Sequence, residues 1–138
     1  MSDFFTALHI SGSGLSAERT RVNLASSNLA NAETTRTPEG GAYKRLDPVF
    51  QAVAASELGS AGPQSVAVAK VVEDPTQGKK IYSPGHPDAD ADGFVTLPNV
   101  NPVHEVVNLL SASRGYEANS SAVETLKQMA SRAIEIIK

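Results

Sequence analysis

The residues best suited to chemistry are three aspartates at alternate positions, Asp88, Asp90 and Asp92, in a run that continues into Gly93. Carboxylates in this pattern with a glycine at position six form the first half of a calcium-binding EF-hand loop. Position twelve, which should be a bidentate Glu, is Asn99, and neighbouring prolines exclude the flanking helices. We therefore expect a solvated acidic turn that leads into a strand. A calcium-dependent binding or adhesion module built on these aspartates is the alternative.

Two further patterns resemble chemical motifs but lack the structural context that those motifs need. His86 lies beside the acidic run, but His9 and His104 fall in separate helical segments, so a transition-metal site has no second histidine. Gly12–Ala17 matches the dinucleotide fingerprint G-x-G-x-x-A, which requires a strand before its first glycine, whereas the residues before it have a helical pattern. The sequence therefore predicts no enzyme, no metal site and no cofactor.

The composition limits the remaining classes of partner. The 138 residues carry a net charge of −3, too small to predict binding to nucleic acid or to an anionic membrane. There is no cysteine, which excludes disulfides and thiolate ligands. No apolar run is long enough for membrane insertion, and the N-terminus lacks the pattern of a cleaved signal peptide. Any export is expected to use a route that needs no such signal.

The first structural element is a proline-free segment from Phe4 to Ala32. Apolar residues return in it every seven positions, at Leu8, Leu15, Val22 and Leu29. This repeat predicts a helix with a single apolar seam. Gly12 and Gly14 weaken the helix by about 1 kcal/mol each relative to Ala. We expect this helix to need a packing partner, and to fray in the isolated subunit.

Three asparagines, Asn23, Asn28 and Asn31, lie among small Ala and Ser residues near the end of this helix. Asparagine is a poor helix former in an exposed interior. A buried asparagine amide can, however, bond across a helix seam and fix its register. The alternative is that Asn28 and Asn31 only end the helix.

A second helix is predicted from Asn101 to Ile137. Asn101 is a suitable N-cap, Pro102 suits the first helical position, and Glu105 complements the helix dipole. Apolar residues follow a 3-4 spacing along the segment, which predicts a continuous seam. A helix of this length, roughly 50 Å, exceeds what a compact domain of 138 residues covers, and this indicates assembly partners.

The residues between the helices are rich in turn signals and predict a small β module. We expect an edge strand within Tyr43–Phe50 that is broken by Pro48, and a second strand at Val66–Val72. Two shorter strands are expected at Lys79–Tyr82 and Phe94–Leu97. With few large apolar residues, this module is expected to be marginally stable by itself.

Four ordered motifs resemble the axial proteins of the bacterial flagellum, which build its rod, hook and filament. The first is Ser27–Asn31 with Thr34, and the extension Thr35–Tyr43 that follows it resembles the proximal rod proteins in particular. The other three are Tyr82–Ala89, Gly93–Asn101 and Ala112–Asn119. The last motif departs from the family pattern at Gly115, where Ala is expected.

The resemblance implies a structural subunit of the proximal rod of the flagellar basal body. Such proteins are exported unfolded through the flagellar type III apparatus, without a cleaved signal peptide, and polymerise helically in the periplasm. Their partners are other copies and other rod proteins, and their terminal helices form the inner layer around the export channel. The polymer is the drive shaft that transmits torque.

Together these observations predict an α+β fold, in which long N- and C-terminal helices pack as a coiled-coil-like pair around a small turn-rich β module. Residues 1–34 and 101–138 are expected to form the two helices of a rod core domain, and residues 35–100 the segment that carries the β module. The predicted assembly interface consists of Leu8, Leu15, Val22, Leu29, Asn28, Asn31, Val106, Leu109, Leu110, Tyr116, Val123, Leu126, Ala130, Ile134 and Ile137.

Overall fold

The computed structural model describes residues 2–55 and 62–136, in which two long helices flank four strands. Helix α1 spans Ser2–Ala30 and helix α2 spans Pro102–Ile136. The strands between them are β1 (Leu46–Ala54), β2 (Gln64–Glu73), β3 (Lys80–Tyr82) and β4 (Phe94–Thr96). The predicted α+β fold, with a β module between terminal helices, is confirmed.

The start of α2 follows from its capping residues. The side-chain oxygen of Asn101 accepts hydrogen bonds from the backbone N–H groups of Val103, at 3.0 Å, and His104, at 3.4 Å. These bonds satisfy two of the donors that the first turn of a helix leaves without a partner. Pro102, which has no N–H, occupies the first helical position at no such cost. The predicted helix start is therefore confirmed.

Helices α1 and α2 pack against each other in antiparallel directions. Gly14 of α1 lies opposite Asn119 of α2, and one turn further along α1 Glu18 lies opposite Gly115. A Cβ atom on Gly14 would come within 2.9 Å of the Asn119 amide, and one on Gly115 within 2.8 Å of the Glu18 carboxylate. Each glycine therefore leaves space that a polar side chain of the facing helix occupies.

The interior contains small and polar residues rather than a thick apolar core. Among the described residues, the buried hydrophobic ones are Ala17, Ala25, Val95 and Ala112, and the buried polar ones are Asn28, Ser65 and Glu105. Three alanines hold the two helices close without contributing much apolar area. The fold must therefore gain specificity, and part of its stability, from polar contacts or from neighbouring subunits.

Strands β1 and β2 form an antiparallel pair that runs from Leu46 opposite Glu73 to Ala54 opposite Gln64. The expectation that Pro48 breaks the first strand was wrong, because β1 continues through it, with a register shift between Val49 and Phe50. The backbone groups of alternate residues in β1 point toward β2, in step with Arg45, whose carbonyl oxygen accepts from Asp74 N–H. Residue 48 falls between them, so the position of its missing N–H faces the outer edge of the strand. An edge strand tolerates proline at such a position.

Strands β3 and β4 form a separate antiparallel pair, joined through a turn in which Gly93 has a φ of +80°. Val95 on one face of the pair is buried. On the other face the rings of Tyr82 and Phe94 stack edge to face, with centroids 5.3 Å apart. Leu97 N–H donates to Lys79 O at 2.8 Å and extends the pairing toward Gly78.

A glycine at position 78 is required by this close approach, which generates a first prediction. A Cβ atom on Gly78 would overlap the carbonyl oxygen of Leu97, whereas one on Gly85 would meet no atom within 4 Å. We expect Gly78→Ala to lower the free energy of unfolding by about 1–3 kcal/mol, and Gly85→Ala to change it by less than about 0.5 kcal/mol. Urea denaturation followed by tyrosine fluorescence measures both. Equal effects of the two substitutions would contradict this packing.

Candidate assembly interface

The side-chain amide of Asn28 joins three parts of the fold, and the residue is only 1% exposed. Its nitrogen donates to the Leu46 carbonyl oxygen at 2.9 Å and to the Glu105 carboxylate at 3.1 Å. Its oxygen accepts from Leu46 N–H and from the Tyr43 hydroxyl, both at 2.9 Å. All four hydrogen-bonding positions of the amide are therefore used. The two bonds to Leu46 replace a missing neighbour strand on the outer edge of β1.

The carboxylate of Glu105 is buried in the first turn of α2, with the residue 1% exposed. It accepts a hydrogen bond from Arg45 Nε at 2.6 Å, and Arg45 also pairs with Asp47. Burial acts to lower the pKa of Arg45, but the hydrogen bond and charge of Glu105, with the charge of Asp47, outweigh it and raise the pKa. Removing one partner of such a buried pair leaves an uncompensated charge.

The amide of Asn99 connects the residue before β1 to the residue after β2. Its oxygen accepts from Arg45 N–H at 2.8 Å, and its nitrogen donates to the Asp74 carbonyl oxygen at 3.2 Å. Asp74 N–H in turn donates to the Arg45 carbonyl oxygen at 2.8 Å. Hydrogen bonds from the side chain and backbone of Thr76 lower the pKa of Asp74, and the charge of Arg45 adds to this effect.

These contacts form one connected cluster, which we call the polar hub. Its members are Asn28, Tyr43, Arg45, Asp47, Asp74, Asn99 and Glu105. The hub connects the last turn of α1, the first turn of α2 and the base of the β1–β2 hairpin. Since its central groups are buried and fully bonded, it fixes where the hairpin leaves the helix pair.

The structure separates the predicted interface residues into two groups. The first group is buried or half-buried along the helix pair and comprises Leu8, Leu15, Val22, Asn28, Leu29, Asn31, Leu109, Val123, Leu126 and Ala130. The second group is exposed and comprises Val106, Leu110, Tyr116 and Ile134. Ile137 lies outside the described residues. The exposed group thus supplies apolar side chains that residues 2–55 and 62–136 leave without cover.

Asn31 differs from Asn28 in that its contacts are local. Its amide nitrogen donates to the Ser27 carbonyl oxygen at 2.9 Å, and its oxygen accepts from the Thr34 hydroxyl at 3.2 Å. Both partners lie within four residues of it, just after α1 ends at Ala30. The two asparagines therefore occupy different environments, one between elements and one in the turn that follows the helix.

The acidic run forms a turn whose carboxylates bond within the chain. Asp88 accepts from the Thr35 hydroxyl at 2.7 Å and lies 3.6 Å from the guanidinium of Arg36. Asp90 accepts from the backbone N–H groups of Asp92, at 3.0 Å, and Phe94, at 2.8 Å. Across the described ranges, no three acidic, His or Cys side chains are grouped as metal ligands. Nothing in the structure favours the calcium-dependent alternative.

Several hub residues were not singled out by their sequence pattern. Tyr43 and Arg45 lie in a region predicted only as an edge strand, and Glu105 was assigned only to the helix dipole. Arg45 and Glu105 are 60 positions apart in sequence, so no local periodicity connects them. The one available signal is that Glu105 lies on the same helix face as the buried Ala112, seven residues later.

Comparison with known proteins agrees with this geometry. A family model described as "Flagella basal body rod protein" matches residues 8–36, and one described as "Flagellar basal body rod FlgEFG protein C-terminal" matches residues 91–136. The two matches cover most of α1, the end of the β module and α2. They define the class of the chain as a flagellar basal-body rod protein, and they confirm the resemblance in the sequence.

Full-length relatives define the family within this class. The chain is 46% identical over 120 residues to the flagellar basal-body rod protein FlgC of Salmonella typhimurium, which covers 87% of each chain. It is 43% identical over 138 residues, the whole of both chains, to FlgC of Aquifex aeolicus. It is 38% identical to FlgC of Borreliella burgdorferi over 149 aligned positions, or 97% of each chain. The chain belongs to the FlgC family, and it is a structural rod subunit of the flagellar basal body rather than an enzyme.

The saturated bonding of Asn28 generates a second prediction. Asn28→Asp removes two donors and places a carboxylate beside that of Glu105, 3.1 Å from the present nitrogen. We expect it to lower the free energy of unfolding by about 3–5 kcal/mol. Asn23→Asp is the matched control, since Asn23 is exposed on the same helix, and its effect should be within about 0.5 kcal/mol. Urea denaturation followed by circular dichroism compares them, and a similar small effect at both positions would show that the hub is not stabilising.

Proposed function

We propose that this subunit builds the proximal rod by polymerising through its terminal helices, and that the polymer is the drive shaft that transmits torque. One observation carries the proposal, namely that α2 exposes large apolar side chains along most of its length. These residues are Val103, Val106, Val107, Leu110, Tyr116, Met129, Ile134 and Ile136. Exposed apolar surface of this extent on a small protein is typical of an interaction site.

The length of the helix pair supports the same proposal. Its 29 and 35 residues correspond to about 44 Å and 52 Å. A helix pair this long with a thin seam gains little from its own packing, whereas a polymer can bury the exposed apolar side chains of α2 at every subunit. We infer that residues 1–34 and 101–138 act as the rod core domain, with residues 35–100 as the segment that carries the β module.

The partners and the location are proposed from family membership. The partners are other copies of the chain and other rod proteins, with the flagellar type III apparatus as the export route and no cleaved signal peptide. The proposed location is the periplasmic part of the basal body. None of the described helices has the length and apolar character to cross a membrane.

Imaging of basal bodies is the direct test of this function. A strain that lacks the protein should assemble rings without a complete rod, and expression of the full chain should restore both the rod and swimming. Complete rods in the deletion strain would contradict the proposal.

The exposed end of α2 generates a third prediction. Ile134 is 62% exposed, and Ile134→Asp should leave the subunit soluble and exportable but prevent rod formation, because a carboxylate cannot be buried between helices without a partner. Gln128→Asp is the control, since it adds the same charge at an exposed position on a different face of the same helix.

Motility and detection of the variant outside the cytoplasm are the two measurements. We expect Ile134→Asp to be detected outside the cytoplasm in a non-swimming strain, and Gln128→Asp to support swimming. Normal swimming by Ile134→Asp would remove this end of α2, and the predicted contact at Ile137 beside it, from the proposed interface.

A further inference from the structure

The outer strand of the β1–β2 hairpin projects from the molecule along its distal half, residues 50–54. Strand β2 lies between it and α1, with Ser65 buried and Val66 N–H donating to the Ser13 hydroxyl at 3.1 Å. The five residues of β1 in this half are exposed on both faces of the hairpin. We call residues 50–54 the distal strand. Since β1 pairs only with β2, its outer edge has no neighbouring strand among the described residues.

The distal strand lacks the features that normally protect an exposed edge. Natural edge strands carry charged side chains, proline or bulges that prevent association. Here Pro48 and the register shift between Val49 and Phe50 protect only the first part of β1. Residues 50–55 and the residues that face them, 63–68, contain no charged side chain. Phe50 and Val53, which are 40% and 43% exposed, lie on opposite faces of the hairpin, so each face of the distal strand presents an exposed apolar side chain.

A second uncharged surface lies at the start of α2. It consists of Val103, Val106, Val107 and Leu110, which we call the α2 patch. The only acidic or basic side chain between residues 103 and 113, apart from the imidazole of His104, is that of Glu105, and it is buried in the polar hub. Beyond this point the exposed side chains of α2 include charged ones, beginning with Arg114 and Glu117.

We propose that the distal strand of one copy packs on the α2 patch of the next copy in the polymer. The inference rests on the proposed polymerisation and names one contact that it uses. Both surfaces are apolar and uncharged, so their association desolvates no charge. They are different surfaces of one chain, and a contact between different surfaces builds an open helical polymer when its rotation does not close a ring.

The placement of the two surfaces sets the offset between neighbouring copies. The hairpin lies beside α1 at Ser13, whereas the α2 patch lies at the level of Asn28, which bonds Glu105. Fifteen residues of α1 separate these levels, or about 22 Å along the helix axis. A neighbour displaced by about that distance brings its distal strand to the α2 patch.

Disulfide crosslinking tests the contact cleanly because the natural chain has no cysteine. Full-length Val53→Cys and Val107→Cys chains are expressed together, basal bodies are isolated, and the sample is oxidised. We expect a reducible dimer only when both variants are present. Each variant alone, and Val53→Cys with Ser121→Cys, should give none, since Ser121 is exposed on α2 outside the patch. Gln51→Cys with Leu110→Cys is the second pair, since Gln51 is exposed on the same face of β1 as Val53.

The outcomes separate this contact from the function on which it rests. Swimming of the same strains reports rod assembly. Swimming strains whose basal bodies give no dimer with either pair would overturn the contact and leave the rod function standing. A dimer formed by Val53→Cys alone would also overturn it, since that result shows two distal strands facing each other. A dimer with Ser121→Cys as strong as that with Val107→Cys would show that crosslinking is unspecific, and would equally count against the contact.

Discussion

The fold depends on the hydrogen bonding of two buried polar groups. The Asn28 amide and the Glu105 carboxylate are both withdrawn from water, so each must find its hydrogen-bond partners within the chain. They find each other, and Arg45, Leu46 and Tyr43 supply the remaining contacts. Because those partners belong to three different elements, satisfying the two groups fixes the positions of α1, α2 and the hairpin together.

A polar hub of this kind suits a chain whose apolar interior is thin. The helices meet through alanines, and glycines at positions 14 and 115 leave space for polar side chains of the facing helix. Apolar contacts of this size give little discrimination between one helix register and the next. The hydrogen bonds of Asn28 distinguish registers sharply, because a shift by one turn would break its bond to the buried Glu105 carboxylate and leave the Asn28 amide without that partner. Many of the large apolar side chains of α2 are therefore exposed on its surface rather than packed in the interior.

Local features of the sequence predicted the helices and strands well. The Asn101–Pro102 start and the seven-residue repeat of α1 depend only on neighbours in sequence, and the structure agrees with both. Pro48 was misjudged because tolerance of proline depends on which edge of a sheet the strand occupies, and that is a tertiary property. The hub itself was not predicted, because Arg45 meets Glu105 across 60 positions and Asn99 meets Arg45 across 54. Which residues contact neighbouring subunits in the rod is still a prediction.

A double-mutant cycle on Arg45 and Glu105 tests most directly whether the hub acts as one unit. Arg45→Met, Glu105→Gln and the double variant are compared by urea denaturation, with the exposed pair Lys44 and Glu73 as a control cycle. The account predicts a coupling free energy above about 1 kcal/mol for the hub pair. For the exposed pair it predicts a smaller coupling free energy, between about 0 and 1 kcal/mol. Single effects at Arg45 and Glu105 that add within about 0.5 kcal/mol would contradict it.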